Sequence, residues 1–129
     1  MSDFRPVTGT WGSGALEIDI KHTDGVTVCQ PVGDLDAYTV PDFRERLTEA
    51  ASLGNVIIDL SEVPFMDSAG LGALAGGIRR TRDAGGEIVV SCNRATLVRL
   101  LQTTGFDKIV SVVDTVDEAR LSLQPNGDA

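Results

Sequence analysis

The sequence predicts a single α/β domain: a mixed, mostly parallel β-sheet of about five strands with four principal α-helices, in the order ββαβαβαβα. Three observations predict it. At 129 residues the chain supports one core, because two halves would each fall near the lower limit for independent folding. Its apolar period switches repeatedly between two residues and about 3.6, the marks of strand and helix. The hairpin signal Asp24-Gly25 comes early, and the strands after it alternate with helices, which implies parallel pairing beyond the first hairpin.

Each element follows from its residues. Residues 1–14 hold Gly, Ser, Thr and Pro without a period and read as a flexible N-terminal arm, with the domain at 15–123 and a loose tail at 124–129. Leu16, Ile18 and Ile20 alternate with Glu17, Asp19 and Lys21, giving a strand with one wet face. After His22-Thr23-Asp24-Gly25, a second strand carries Val26, Val28 and Val32 to Gly33. A helix starts near Pro41, a residue suited to a first turn, with Val40, Phe43, Leu47 and Ala50 on one face. Val56-Ile57-Ile58-Asp59-Leu60 is nearly all apolar, as a central strand is.

A second helix runs from about Ser68 to Ala84, with Leu71, Leu74, Ala75 and Ile78 inward and Arg79, Arg80 and Arg82 near its C-terminal end, where cations suit the dipole. Gly85-Gly86 stops it, and Ile88 to Cys92 form a strand. Asn93 is the expected cap of a short helix with Leu97, Val98 and Leu101 inward. Gly105 ends that helix, Ile109 to Val113 make the last strand, and Asp114 is the expected cap of a helix carrying Val116, Ala119 and Leu123.

Composition narrows the function. Hydrophobic residues are 42% and charged residues 23%, an ordinary globular balance. Eleven Lys and Arg against nineteen Asp and Glu leave a formal charge of −8, which repels a phosphate backbone and points to proteins or small molecules as partners. Cys29 and Cys92 lie far apart among β-branched residues without ligand spacing, so they read as reduced, buried thiols of a cytoplasmic protein. No secretory signal is read in the first residues, and no apolar run approaches the roughly 18 residues of a membrane span.

One segment concentrates chemistry: Phe65-Met66-Asp67-Ser68-Ala69-Gly70-Leu71-Gly72, between the central strand and the second helix. Ser68 falls at or beside an N-cap, where free backbone N–H groups and the dipole favour negative charge. An ordinary cap explains such a serine, and spacing alone gives it no further role. Gly70 to Ala75 formally fit a dinucleotide fingerprint, but nine residues separate Leu60 from Gly70 and no acid ends the following strand. A nucleophile elbow would need Gly where Met66 stands, and His22, the sole histidine, sits in a hairpin turn.

The same octapeptide resembles the signature of STAS-domain anti-sigma factor antagonists. Gly33-Asp34-Leu35-Asp36-Ala37-Tyr38-Thr39 resembles their loop after the second strand, and Gly85 to Val90 and Leu97 to Gly105 resemble their later strand and helix. The resemblance covers about residues 15–123. It implies a STAS-type domain with helices largely on one side of the sheet, and a partner-switching role without catalysis, cofactor or metal. In that family the unphosphorylated antagonist binds an anti-sigma factor that is also a serine kinase, which frees the sigma factor and so regulates transcription indirectly. The kinase, with ATP and magnesium, phosphorylates the serine after the motif aspartate, here Ser68, and a phosphatase restores binding. The next position, often Ser or Thr in relatives, is Ala69, which leaves Ser68 as the one candidate hydroxyl in the loop.

Asp36, Met66, Asp67, Ser68 and Gly70 are the partner-binding candidates. Asp36 joins them because loops after parallel neighbouring strands emerge at one sheet edge; Met66 and Gly70 are expected as rim contacts. The chain is expected to be a monomer or weak homodimer. The resemblance leaves two other roles open: a scaffold subunit of a stress-sensing assembly or an accessory subunit of a transporter, and a nucleotide-binding module, which the lack of a P-loop lysine disfavours.

Overall fold

The computed structural model describes residues 9–12 and 16–124. Six strands lie in sequence order across one sheet. β1 (Gly9–Gly12), β2 (Glu17–Thr23) and β3 (Val26–Val32) are antiparallel; β4 (Asn55–Asp59), β5 (Ile88–Ser91) and β6 (Ser111–Val113) extend the sheet in parallel. Helices α1 (Val40–Ala51), α2 (Ser68–Asp83) and α3 (Ala95–Thr103) make the parallel crossovers, and α4 (Val116–Leu123) closes the chain. The expected mixed sheet with four helices is borne out.

The central strands bury both faces, as their unbroken apolar runs require. Val56, Ile58 and Val90 face the larger core with Phe43, Leu47, Leu74, Ile78, Leu97 and Leu101 of α1, α2 and α3. Their neighbours in sequence, Ile57 and Val89, face the opposite side and pack with Ala119 of α4. Three helices therefore share one face, and the fourth covers part of the other.

Four local expectations are corrected. Residues 9–12, read as part of a flexible arm, form β1, with Thr10 opposite Asp19 and Trp11 opposite Ile18. An edge strand offers a row of free backbone groups, and pairing to it needs no apolar period. The rest of residues 1–14, and 125–129 of the tail, lie outside the described residues. α3 is preceded by Arg94 rather than capped by Asn93, and α4 is capped by Thr115, whose Oγ1 accepts from the amide of Glu118 at 3.1 Å. The Glu118 carboxylate reaches back past the cap to accept from the amide of Asp114 at 3.0 Å, so the helix begins one residue later than expected. β6 begins at Ser111 because a 3-10 turn, Phe106–Lys108, takes up the residues before it.

The inner face of α2 is Gly70, Ala73, Leu74, Gly77, Ile78 and Thr81; Leu71 and Ala75 are only half-buried. Glycines carry no hydropathy signal, yet they let the helix sit close: a Cβ on Gly77 would stand 2.8 Å from Cδ1 of Leu47 on α1. Arg80, in the last turns of the helix with Arg79 and Arg82, lies half-buried along α2, its guanidinium folded over the bare Cα of Gly76.

Candidate functional site: the rim where two loops are stitched together

Strands β3 and β4 are parallel neighbours, so the chain leaves both at the same edge of the sheet. The two loops that follow are bonded to each other. The amide of Gly33 donates to the carbonyl of Glu62 at 3.1 Å, that of Leu35 to Phe65 at 2.9 Å, and that of Asp67 to Leu35 at 3.1 Å. The last two bonds form a one-residue parallel bridge between Leu35 and Met66. A further tie comes from Arg94, just before α3, whose Nε donates to the carbonyl of Ser61 at 2.8 Å. A segment that would otherwise be a free loop is thereby fixed at its beginning, middle and end.

Asp67 is the N-cap of α2. Its Oδ1 accepts from the amides of Ala69 at 2.9 Å and Gly70 at 3.2 Å, which satisfies two of the helix's orphan donors. Ser68 is therefore the first helical residue rather than the cap. It is exposed, and among the described residues no hydrogen bond engages its hydroxyl.

Asp36 arrives at the same rim: it follows directly on Leu35, whose carbonyl holds the amide of Asp67. Its carboxylate is half-buried and turned toward its own loop, with Oδ1 accepting from the amides of Tyr38 at 3.0 Å and Thr39 at 3.1 Å. Thr39 locks the turn from the other side, its buried Oγ1 donating to the carbonyl of Asp34 at 2.8 Å. Such an Asx turn makes Asp36 a residue that shapes the rim.

Met66 and Gly70 are not rim contacts. Met66 is 4% exposed and belongs to the core, and Gly70 is buried. The bridge to Leu35 turns the Met66 side chain inward, and α2 crosses the Leu35 strand segment so closely that Gly70 has no room for a side chain. A Cβ there would stand 2.6 Å from Cγ of Met66 and 2.7 Å from the Leu35 carbonyl oxygen. The space a phosphate-cradling glycine would offer is thus filled by the protein itself.

Two aromatic residues of these loops are exposed in their place. Tyr38 is 82% exposed and Phe65 is 50% exposed. Both stand in the segments that single out this region in the sequence, and a large apolar side chain inside a polar loop is the signal that marks them. His22 belongs to the opposite edge, in the hairpin end of β2, with Nδ1 2.7 Å from Oγ1 of Thr27. Neither thiol is activated: burial pushes Cys29 up to about 12 and raises Cys92 as well.

Residues 17–119 match the family model described as the STAS domain. The chain belongs to the STAS domain family. An anti-sigma F factor antagonist of Paenibacillus polymyxa is 30% identical over 112 residues, which cover 84% of this STAS domain chain and 96% of that protein. The crystal structure of an anti-sigma factor antagonist from Mycobacterium paratuberculosis superposes with a TM-score of 0.75 at 26% identity, covering 85% of this chain and 95% of that one. The Bacillus cell fate determinant SpoIIAA in its phosphorylated form shares the fold, with a TM-score of 0.64, 22% identity, and coverage of 83% and 99%. Among the described residues of this STAS domain, no helix is long and apolar enough to cross a membrane.

Proposed function

We propose that this STAS domain is an anti-sigma factor antagonist whose partner binding is switched by phosphorylation of Ser68. In the unphosphorylated form it binds an anti-sigma factor that is also a serine kinase and so frees a sigma factor. The carrying observation is the Ser68 hydroxyl, exposed and unengaged at the first turn of α2 on a loop that the Leu35–Met66 bridge holds rigid. The names of the relatives support the antagonist role.

The transfer is simple in its atoms. Oγ of Ser68 bonds to the γ-phosphorus of ATP bound with magnesium by the kinase, its proton leaves to a base of the kinase, and the bond to the β-phosphate oxygen breaks to give ADP. A phosphatase reverses the state by directing water at the same phosphorus, which returns the hydroxyl and inorganic phosphate.

The added group carries about −1.5 to −2 charges. Within the domain, the helix dipole favours that charge and the Asp67 carboxylate opposes it, so the fold has little reason to change. At an interface the balance differs. A charge about 4 Å from an acidic or poorly solvated partner group costs up to ~4 kcal/mol at an effective dielectric near 20. About 1.4 kcal/mol is a tenfold loss of affinity, so part of that cost releases the partner.

The test is incubation with a cognate anti-sigma kinase and ATP. Intact-mass measurement is expected to find one phosphate on the wild-type chain and none on Ser68→Ala. A phosphate persisting on Ser68→Ala rejects Ser68 as the acceptor.

A further inference from the structure

Beside the Ser68 loop lies an apolar cleft of about 340 Å³, walled on one side by Phe65 and Met66 and on the other by Thr96, Leu97, Arg99 and Leu100 of α3. Leu97 and Met66 close its floor as part of the core. Half-buried Leu100 and half-exposed Phe65 leave apolar surface open to water, which costs about 25 cal/mol per Å² until something covers it. No carboxylate lines the cleft. Arg99 is exposed at its edge, and among the described residues no acid pairs with it. Arg94 adds a second cation just before α3, whose first turn carries no acid. On a chain of net charge −8, the lining of this cleft carries one cation and no acid.

The cleft is lined by residues next to the acceptor serine in the chain. Met66 and Ser68 are two residues apart, so their Cα atoms lie within about 7 Å. A protein interface covers about 800 Å² on each partner, a disc of roughly 16 Å radius. A kinase centred on Ser68 therefore lies over Phe65 and reaches the cleft.

We infer that the cleft is a docking pocket for the anti-sigma kinase, taking one aliphatic or aromatic side chain of a partner segment whose neighbouring carboxylate pairs with Arg99. The inference rests on the proposed role of Ser68 and deepens it. The kinase grips the domain at two places, and phosphate on Ser68 opposes one of them while the apolar anchor stays in reach.

The experiment measures affinity of the full chain for the kinase that phosphorylates it, loaded with a non-hydrolysable ATP analogue, by interferometry at about 50 mM and about 300 mM salt, where screening differs strongly. Thr96→Trp fills the cleft from an exposed position without removing a core contact; Arg99→Glu reverses the charge and Arg99→Lys preserves it. Thermal melts check that each variant folds. Thr96→Trp and Arg99→Glu are expected to weaken binding at least about tenfold, and Arg99→Lys to stay within about threefold of wild type. The loss in Arg99→Glu is expected to shrink at the higher salt. Wild-type affinity in all three variants, with Ser68→Glu still weakened, overturns the docking pocket and spares the Ser68 reading. A wild-type chain that neither binds a kinase nor accepts phosphate overturns both. Saturable binding of dodecanoate that Thr96→Trp abolishes, alongside unchanged kinase affinity, assigns the cleft to a small amphiphile and overturns the inference. Self-association of the wild type that Thr96→Trp abolishes, again with unchanged kinase affinity, assigns it to a second copy and overturns it likewise.

Discussion

The Cα of Gly70 faces the carbonyl oxygen of Leu35 so closely that a Cβ on Gly70 would stand 2.7 Å from it. That carbonyl is already the acceptor for the amide of Asp67, so the first turn of α2 and the loop after β3 share one atom as their point of contact. Gly72, one turn-face away on the same helix, has nothing within 4 Å of where its Cβ would be. The two glycines of the signature thus have opposite structural reasons, and substitution separates them.

Gly70→Ala is expected to lower stability by about 1–3 kcal/mol, as overpacking of a rigid contact does, because the atom in the way is backbone and cannot swing aside. Gly72→Ala is expected to raise stability by up to about 1 kcal/mol, the difference in helix propensity. Urea denaturation of the two variants checks this. An unchanged midpoint in Gly70→Ala would show that the Leu35 contact is not tight in solution.

Ser68→Glu separates fold from function. The side chain is exposed and unengaged, so the unfolding free energy is expected to stay within the roughly ±0.5 kcal/mol usual for surface changes. Affinity for the anti-sigma partner is expected to fall at least about tenfold. Calorimetry that finds equal affinity for both forms removes the electrostatic basis of the switch.

Asp36 and Asp67 each use a carboxylate oxygen as an acceptor for two backbone amides. Replacing either by Asn keeps an acceptor oxygen, whereas Ala removes it. Asp67→Ala is expected to cost about 1 kcal/mol, the usual value of an N-cap, and Asp67→Asn only a few tenths. Asp36→Ala is expected to raise hydrogen exchange at the Tyr38 and Thr39 amides while Asp36→Asn leaves them protected. Equal exchange in the two Asp36 variants would mean that charge, not the turn, is what the rim requires.

Much of this was legible in residue order. Period switches located the six elements from β3 to α3, because each buries a contiguous face of apolar side chains. The Asp-Gly pair located the hairpin, and the adjacency of the loops after β3 and β4 followed from parallel pairing alone. The features that residue order does not show depend on atoms without a side-chain signature. β1 is held by backbone pairing, the inner face of α2 is marked partly by glycines, and the Leu35–Met66 bridge is a contact between main chains. Met66 and Gly70 are buried for that reason: their position in a polar motif says nothing about the bridge that turns them inward. Arg94 ties the start of α3 to the carbonyl of Ser61, and nothing in its sequence position distinguishes it from a surface arginine.

The Cys29 thiol gives a stability signature that can be read by pH. Burial holds its proton until about pH 12 in the folded protein, against an ordinary value near 9 for the free thiol. Between those values the unfolded chain has lost the proton and the folded one retains it, so the folded state binds more protons and stability falls as pH rises. Below about pH 9 both states are protonated and the contribution is constant. The expected slope is up to about 1.4 kcal/mol per pH unit from this group. Other groups titrate in the same range, so the measurement is the difference between wild type and Cys29→Ala, each unfolded in urea at pH 8 and again at pH 10.5. The variant is expected to be less stable at pH 8, having lost buried volume, and the gap is expected to narrow at pH 10.5. A gap of constant width would mean that the thiol reaches solvent in the folded state, contrary to its place beneath α1 in the larger core.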